Sequence, residues 1–183
     1  MSKILIIDTE TGGLDPAIHS ILSLGAVVLE NNEIKDSKEW FIIEPIIHVT
    51  VDAMAINEIA LDQLPYKASL AADVVQQLEE WLALNFGAEK ITLGGQNINF
   101  DVAFLKRLYQ FNPVYSFNKR FSYRMVDTAS IAWYLMETGK LQIEKPSLTL
   151  LFQYFNLTPP VAHTALGDAL ATANLLVKLK ELV

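Results

Sequence analysis

The chain has 183 residues, of which 51% are apolar, 19% charged and 10% aromatic, and its formal net charge is −7. That length suits a single domain, residues 1–183, burying roughly 70% of the surface its unfolded form exposes. The apolar share excludes disorder, 8 Gly and 7 Pro exclude collagen-like or mucin-like character, and the absence of Cys excludes a disulfide scaffold or a Cys-based zinc site.

The opening run Ile4-Leu5-Ile6-Ile7 stops at Asp8, too short for the apolar core of a signal peptide. The longest mostly apolar run, Ile21 to Leu29, falls far below the ~20 residues of a membrane-spanning helix. The expectation is a cytoplasmic protein with no membrane contact. Charge is unevenly spread. Residues 1–85 hold 4 Lys/Arg against 14 Asp/Glu, whereas residues 86–145 hold 8 against 5 and residues 146–183 hold 2 against 2. The acidic half is either a solvated face or, in part, a carboxylate cluster that attracts cations.

In chain order, Lys3 to Asp8 is a short branched apolar run before Gly12-Gly13 and predicts a buried strand. Ile21 to Glu30 and Ile34 to Glu44 predict two more strands, joined by a turn at Asn31-Asn32, so that three antiparallel strands open the fold. The period then changes. Leu70, Val74, Val75, Leu78, Trp81 and Leu82 share one face of a helix starting near Ser69. Ile91 to Leu93 predicts a strand, ended by Gly94-Gly95, and Phe100, Phe104, Leu105 and Leu108 mark a helix that Asn97 caps. Arg124 to Asp127 predicts a short strand, with Asp127 capping a helix through Trp133 and Leu135. Ser147 to Phe155 and Thr164 to Leu182 predict the last helices. The pattern is an α/β fold: a mixed sheet, antiparallel first and then parallel, with helices on its faces.

Three segments carry candidate chemistry. In Asp8-Thr9-Glu10-Thr11-Gly12-Gly13, strand geometry projects Asp8 and Glu10 to one side, where two carboxylates repel unless a proton or cation sits between them. Mg²⁺ or Mn²⁺ suits such an all-oxygen site; the alternative is a solvated strand end. In Asn97-Ile98-Asn99-Phe100-Asp101, the acid lies one turn beyond Asn97, a place where Asp also serves the helix dipole alone. In His163-Thr164-Ala165-Leu166-Gly167-Asp168, five helical residues rotate by about 140°. The two end groups therefore converge only if His163 stays on the lead-in after Pro159-Pro160, Thr164 caps the helix and Asp168 lies inside it. His19 and His48 lack acidic partners at a telling spacing and are assigned to surface or loop.

Taken together, D-x-E, N-x-x-F-D and H-x-A-x-x-D, in that order, resemble the DEDD exonuclease superfamily in its His-containing branch, which includes the proofreading subunits of bacterial DNA polymerase III. The likeness runs from about residue 3 to 175. It implies an RNase H-like fold and removal of nucleotides from the 3′ end of DNA or RNA, using two divalent ions, Mg²⁺ or Mn²⁺, about 3.5–4 Å apart. By the same resemblance Asp8 bridges both ions, Glu10 and Asp168 hold one, Asp101 holds the other, and His163 is the general base. Thr9 and Thr11 lie beside the terminal sugar, Leu14 presses on the end base, and Asn97 and Phe100 line the strand path, although Phe100 suits core packing equally. Implied partners are single-stranded DNA or RNA 3′ ends and, in a proofreading role, a DNA polymerase subunit.

The chain departs from the family pattern at Gln96, where many relatives carry His, and at Ala55-Ile56-Asn57-Glu58-Ile59, where His-Gly-Ile is frequent; neither change removes a metal ligand. Tyr115 to Arg124 interleaves aromatics with cations and reads either as a contact for a single strand or as an amphipathic strand with core aromatics. Trp40 and Phe41 fit a homodimer interface or the sheet core. The rival functions are an oligoribonuclease or RNA-trimming enzyme and a non-catalytic nucleic-acid-binding module on the same fold. Four converging carboxylates count against the latter.

Overall fold

A computed structural model describes residues 3–57, 59–157 and 164–183. Its first strand, β1 (Lys3–Thr11), pairs antiparallel with β2 (Ile21–Glu30), which pairs antiparallel with β3 (Glu33–Ile43). The β2–β3 connection is Asn31-Asn32, with φ of 54° and 66°. Asn tolerates this left-handed backbone, and two such residues give a tight hairpin the twist its strands need. The predicted antiparallel opening is therefore present, with β1 reaching three residues beyond Asp8.

Two short helices follow, α1 (Val51–Asn57) and α2 (Leu64–Lys67). The helix expected from Ser69 starts two residues later, because Ser69–Leu70 pairs in parallel with Ile42–Ile43 as β4. Helix α3 (Ala71–Phe86) and strand β5 (Ile91–Gly95) come next. Helix α4 (Asn99–Tyr109), helix α5 (Phe117–Arg120) and strand β6 (Phe121–Asp127) follow. The chain closes with α6 (Thr128–Glu137), α7 (Leu148–Phe155) and α8 (Ala165–Lys180). Two of these helices are capped as the sequence predicts, Asp127 and Thr164 accepting from the backbone N–H groups of Ser130 and Gly167, and Ser147 caps a third by accepting from Leu150 N–H.

The strands form one mixed sheet in the order β4-β3-β2-β1-β5-β6, with β5 parallel to both β1 and β6. Alternation along β1 sorts its side chains between two layers. Leu5 and Ile7 face a core built with Val74, Val75 and Leu78 of α3 and Phe104, Leu105 and Leu108 of α4. Ile4 and Ile6 join Val27 and Leu29 under Ala169, Ala173 and Leu176 of α8. Trp40 is only 4% exposed and packs edge-on against Trp81, while the ammonium of Lys67 lies 3.9 Å over the Phe41 ring. Trp40 therefore belongs to the core beneath the sheet, whereas Phe41 stays half-buried under Lys67. Among the described residues, no helix is long and apolar enough to cross a membrane.

Candidate active site

The site is built where β1 leaves its apolar stretch. Asp8 and Glu10 continue the Ile4–Ile6 side of the strand, the side that α8 covers, while Thr9 and Thr11 point to the opposite layer. Opposite Asp8 on β2 stands Gly25. A Cβ there would fall 2.2 Å from the carbonyl carbon and oxygen of Ala165 and 2.4 Å from the Leu166 nitrogen, so the first turn of α8 rests on bare β2 backbone. Thr164 fixes where that turn begins, its Oγ1 accepting from Gly167 N–H at 3.1 Å. Asp168 follows, inside the first turn, and is brought over β1. One carboxylate oxygen each from Asp8, Glu10 and Asp168 lies within 4.8 Å of the other two.

The fourth acid arrives through the other layer. Strand β5 runs parallel to β1, so its C-terminal end delivers the start of α4 beside the end of β1. Asp101, 4% exposed in the first turn of α4, accepts a hydrogen bond of 2.8 Å from the Thr9 hydroxyl. Thr9 thus links the two carboxylate-bearing elements from the strand position between Asp8 and Glu10.

Crowding these acids changes how they hold protons. Burial pushes the Asp8 carboxyl well above its ordinary value, and the charges of Asp101, Asp168 and Glu10 push it further. Glu10 is raised to about 7, first by burial and then by the charges of Asp168, Glu39 and Asp101. Asp101 also rises to about 7 through burial, opposed by the hydrogen bond from Thr9. At neutral pH and without a counter-charge the cluster repels itself, so a proton or a cation is the natural occupant.

Beside the acids opens a cleft of ≈ 430 Å³. Thr9, Glu10, Thr11, Leu14 and Phe100 line it, which brings all but one of the substrate-side candidates of the sequence to one place. Leu14 is 84% exposed at this lining. Its other wall is made by His19 from the loop after β1, which the sequence assigns to surface or loop, and by Thr50, Asp52, Ile56 and Asn57 from α1 and the residue before it; Ile56 and Asn57 lie in the segment where the sequence departs from the family's His-Gly-Ile. His19 packs against Gly13, where a Cβ would meet the imidazole ring at 2.6 Å, and its Nδ1 accepts from Asp15 N–H at 3.0 Å. Asn57, 4% exposed, donates from Nδ2 to the Thr11 carbonyl at 3.0 Å and pins α1 to the end of β1. The turn-rich sequence before α1 offered no signal for that contact.

Some expectations need correction. Asn97 is not the cap of α4. It sits outside the cleft lining with φ of 53°, donates its backbone N–H to Asp127 Oδ1 at 2.8 Å, and leaves the N-cap position to Ile98. Gln96 is engaged in structure, donating to the Pro146 carbonyl at 3.1 Å and accepting from the Thr128 hydroxyl at 2.5 Å. In the segment 115–124, Phe117 and Phe121 pack with Tyr109, and Arg120 pairs with Glu79 at 3.2 Å. Core packing is therefore the better reading there, with Lys119 and Arg124 left at the surface. His163 lies outside the described residues.

The sheet order, with α8 over the carboxylate-bearing side, makes this an RNase H-like fold, with an acidic cluster suited to cations at the end of its first strand. The chain belongs to the exonuclease family, whose model matches residues 5–176. Among curated relatives, the PolC-type DNA polymerase III of Thermotoga petrophila is 28% identical over 179 residues, covering 98% of this chain and 12% of the relative. That of Listeria innocua is 30% identical over 175 residues, covering 95% and 11%. The chain thus spans about one eighth of the length of these polymerases. Among solved structures, E. coli exonuclease I in a zinc-bound complex with single-stranded DNA superposes with a TM-score of 0.81 at 17% identity, covering 99% of this chain and 41% of that one. Exonuclease I from Methylocaldum szegediense gives 0.74 at 17% identity, covering 99% and 41%.

Proposed function

We propose that this protein is a metal-dependent 3′→5′ exonuclease that releases nucleoside monophosphates from single-stranded DNA ends. The observation that carries the reading is the meeting of Asp8, Glu10 and Asp168 within 4.8 Å, beside a cleft that shares Glu10 with them. The donor set fits two divalent ions: every group is a hard oxygen, and burial with like charge leaves the cluster in want of positive charge. Asp8 would hold both ions, Glu10 and Asp168 one, and Asp101 the other. When bound, Mg²⁺ or Mn²⁺ supplies neutralisation of the phosphate charge and Lewis-acid activation of water.

The chain's own residues do the rest. The Thr9 hydroxyl keeps Asp101 turned toward the centre. Leu14 and Phe100 provide apolar surface for the terminal base, Thr9 and Thr11 lie at the terminal sugar, and Asn57 keeps the α1 wall closed onto Thr11. His163 directly precedes the capping residue Thr164 in sequence, and we assign it removal of the proton from the attacking water, a task suited to an ordinary imidazole value near 6.5. Stacking and shape select the strand end, so little base preference is expected. The PolC-type relatives favour DNA over RNA, and they favour work beside a polymerase that makes the same strand.

The test is a time course on 5′-labelled and 3′-labelled single strands of DNA and RNA with Mg²⁺ or Mn²⁺. The reading predicts a ladder shortening from the 3′ end of the 5′-labelled DNA and immediate release of mononucleotide from the 3′-labelled strand. Release of label from the 5′ end first would reverse the polarity. Faster shortening of RNA would make the enzyme an RNA-trimming one. Tight strand binding without cleavage, from folded metal-loaded protein, would leave a binding module.

A further inference from the structure

Glu39 is a carboxylate that the reading above leaves without a task. It stands on β3 opposite Gly25, as Asp8 does on β1, so the three positions form one row across the sheet. Paired residues share a sheet face, and strands lie about 4.8 Å apart, which starts the Glu39 side chain about 10 Å from Asp8 on the side that α8 covers. Gly25 contributes no side chain between them, and the backbone of Ala165 and Leu166 fills that gap. Glu39 Oε1 is placed to accept from the Leu166 N–H at 3.4 Å, two residues before Asp168. Its charge acts on Glu10 as well, after burial and the charge of Asp168. Glu39 is nevertheless outside the three-residue group whose oxygens can share an ion.

We propose that Glu39 is a positioning residue of the metal centre: it holds the opening turn of α8 over Gly25, so that Asp168 reaches Asp8 and Glu10, and its charge draws cations without ligating them. This deepens the function proposed above and rests on it. A half-buried carboxylate on a covered sheet face disfavours folding unless it is hydrogen-bonded or paired with another charge; here the Leu166 N–H donates to it and the charge of Lys67 acts on it from α2. An acceptor at the start of a 16-residue helix also meets the positive end of the helix dipole, which favours the tether.

The experiment is a Mn²⁺ titration followed by electron paramagnetic resonance without nucleic acid, on wild type, Asp8→Asn, Glu39→Gln and Glu39→Leu, with melting curves of the metal-free proteins. Gln keeps the acceptor and loses the charge, whereas Leu loses both. Glu39→Gln is expected to weaken Mn²⁺ binding about fivefold and Glu39→Leu about fiftyfold, with metal-free Glu39→Gln melting no lower than wild type because a like charge beside Glu10 is gone. Wild-type Mn²⁺ affinity in both Glu39 variants would overturn the proposal and leave the metal-dependent reading standing. So would a metal-free Glu39→Gln that melts well below wild type, which would make the residue a structural tether alone. Failure of the wild type to bind Mn²⁺, or equal binding by Asp8→Asn, would overturn both.

Discussion

Asp8, Glu10 and Asp101 all hold protons more tightly in the folded protein than in the unfolded chain, and this fixes the sign of a pH effect. Glu10 and Asp101 rise from 4.5 and 3.8 to about 7. Raised carboxyls contribute stability that is fully present below the ordinary values and is lost as pH climbs through about 7. The metal-free protein should therefore melt several degrees lower at about pH 8 than at about pH 5 in EDTA, and excess Mn²⁺ should restore most of the difference at the higher pH while doing little at the lower one. Asp8→Asn should raise the EDTA melting point at about pH 8, since one of the opposed charges is gone. A metal-free melting point that instead rises between these pH values would contradict the crowding described here. At this scale the sequence was partly readable. The spacing of Asp8 and Glu10 put them together because strand period is two, but Glu39 follows Lys38 on a strand whose neighbours are largely solvated and carries no sign that Gly25 opens a gap beside it. The Asn57–Thr11 bond joins residues 46 apart and has no local signature.

Gly25 matters as part of two elements at once, because α8 can approach β2 only where no Cβ intervenes. Gly25→Ala forces Ala165 and Leu166 outward by more than a small adjustment, with an expected cost of about 1–3 kcal/mol of stability. A misplacement of Asp168 on the order of 1 Å should slow cleavage about a hundredfold. Denaturant melts and single-turnover rates check the two effects separately, and a variant with normal rates would show that α8 tolerates a shift. A second node ties α4 to the loop after β1. Arg107 donates to Glu44 from Nε at 3.2 Å and from Nη2 at 2.5 Å and to the Pro16 carbonyl at 3.1 Å, while Glu44 also accepts from the Ser20 hydroxyl at 2.9 Å and the Ile21 N–H at 3.1 Å. Glu44 is 4% exposed, so Glu44→Ala strands a guanidinium and should cost about 3–5 kcal/mol, read from chemical denaturation; a loss below 1 kcal/mol would mean that water replaces the partner. The long elements were legible in the sequence because each repeats its period over many residues, and several are bounded by turn or cap residues such as Asn31, Gly87, Gly95, Asp127 and Thr164. Helices α1, α2 and α5, of seven, four and four residues, are too short to show a period, and β4 exists only because Ile42–Ile43 offers it an edge. The Asn97 cap failed for a different reason: its left-handed backbone turns the chain into Asp127 before α4 begins.

For the whole molecule, the proposed function raises the question of how a chain of net charge −7 would accept a polyanion. Most of the acid excess lies in residues 1–85, the part that contributes Asp8, Glu10 and Glu39, so on the proposed reading cations at the centre would offset the charge where a phosphate approaches. The fold class followed from the order of periods along the chain, and the family from three motifs whose meaning lies in their combination. The sequence flagged Ile56 and Asn57 only through a departure from the family pattern, and it could not supply His19, Thr50 or Asp52, which join the wall of the cleft through the return of the chain over β1. The central claim is that the carboxylate cluster is a metal-dependent catalytic centre. Single-turnover cleavage of a single-stranded DNA by wild type, Asp8→Asn and Asp168→Asn, each shown to be folded, in EDTA and in saturating Mn²⁺, tests it most directly. Cleavage is expected from the wild type in Mn²⁺ only, with both variants slowed by at least about a thousandfold. Cleavage that persists in EDTA, or in either variant at the wild-type rate, would contradict it.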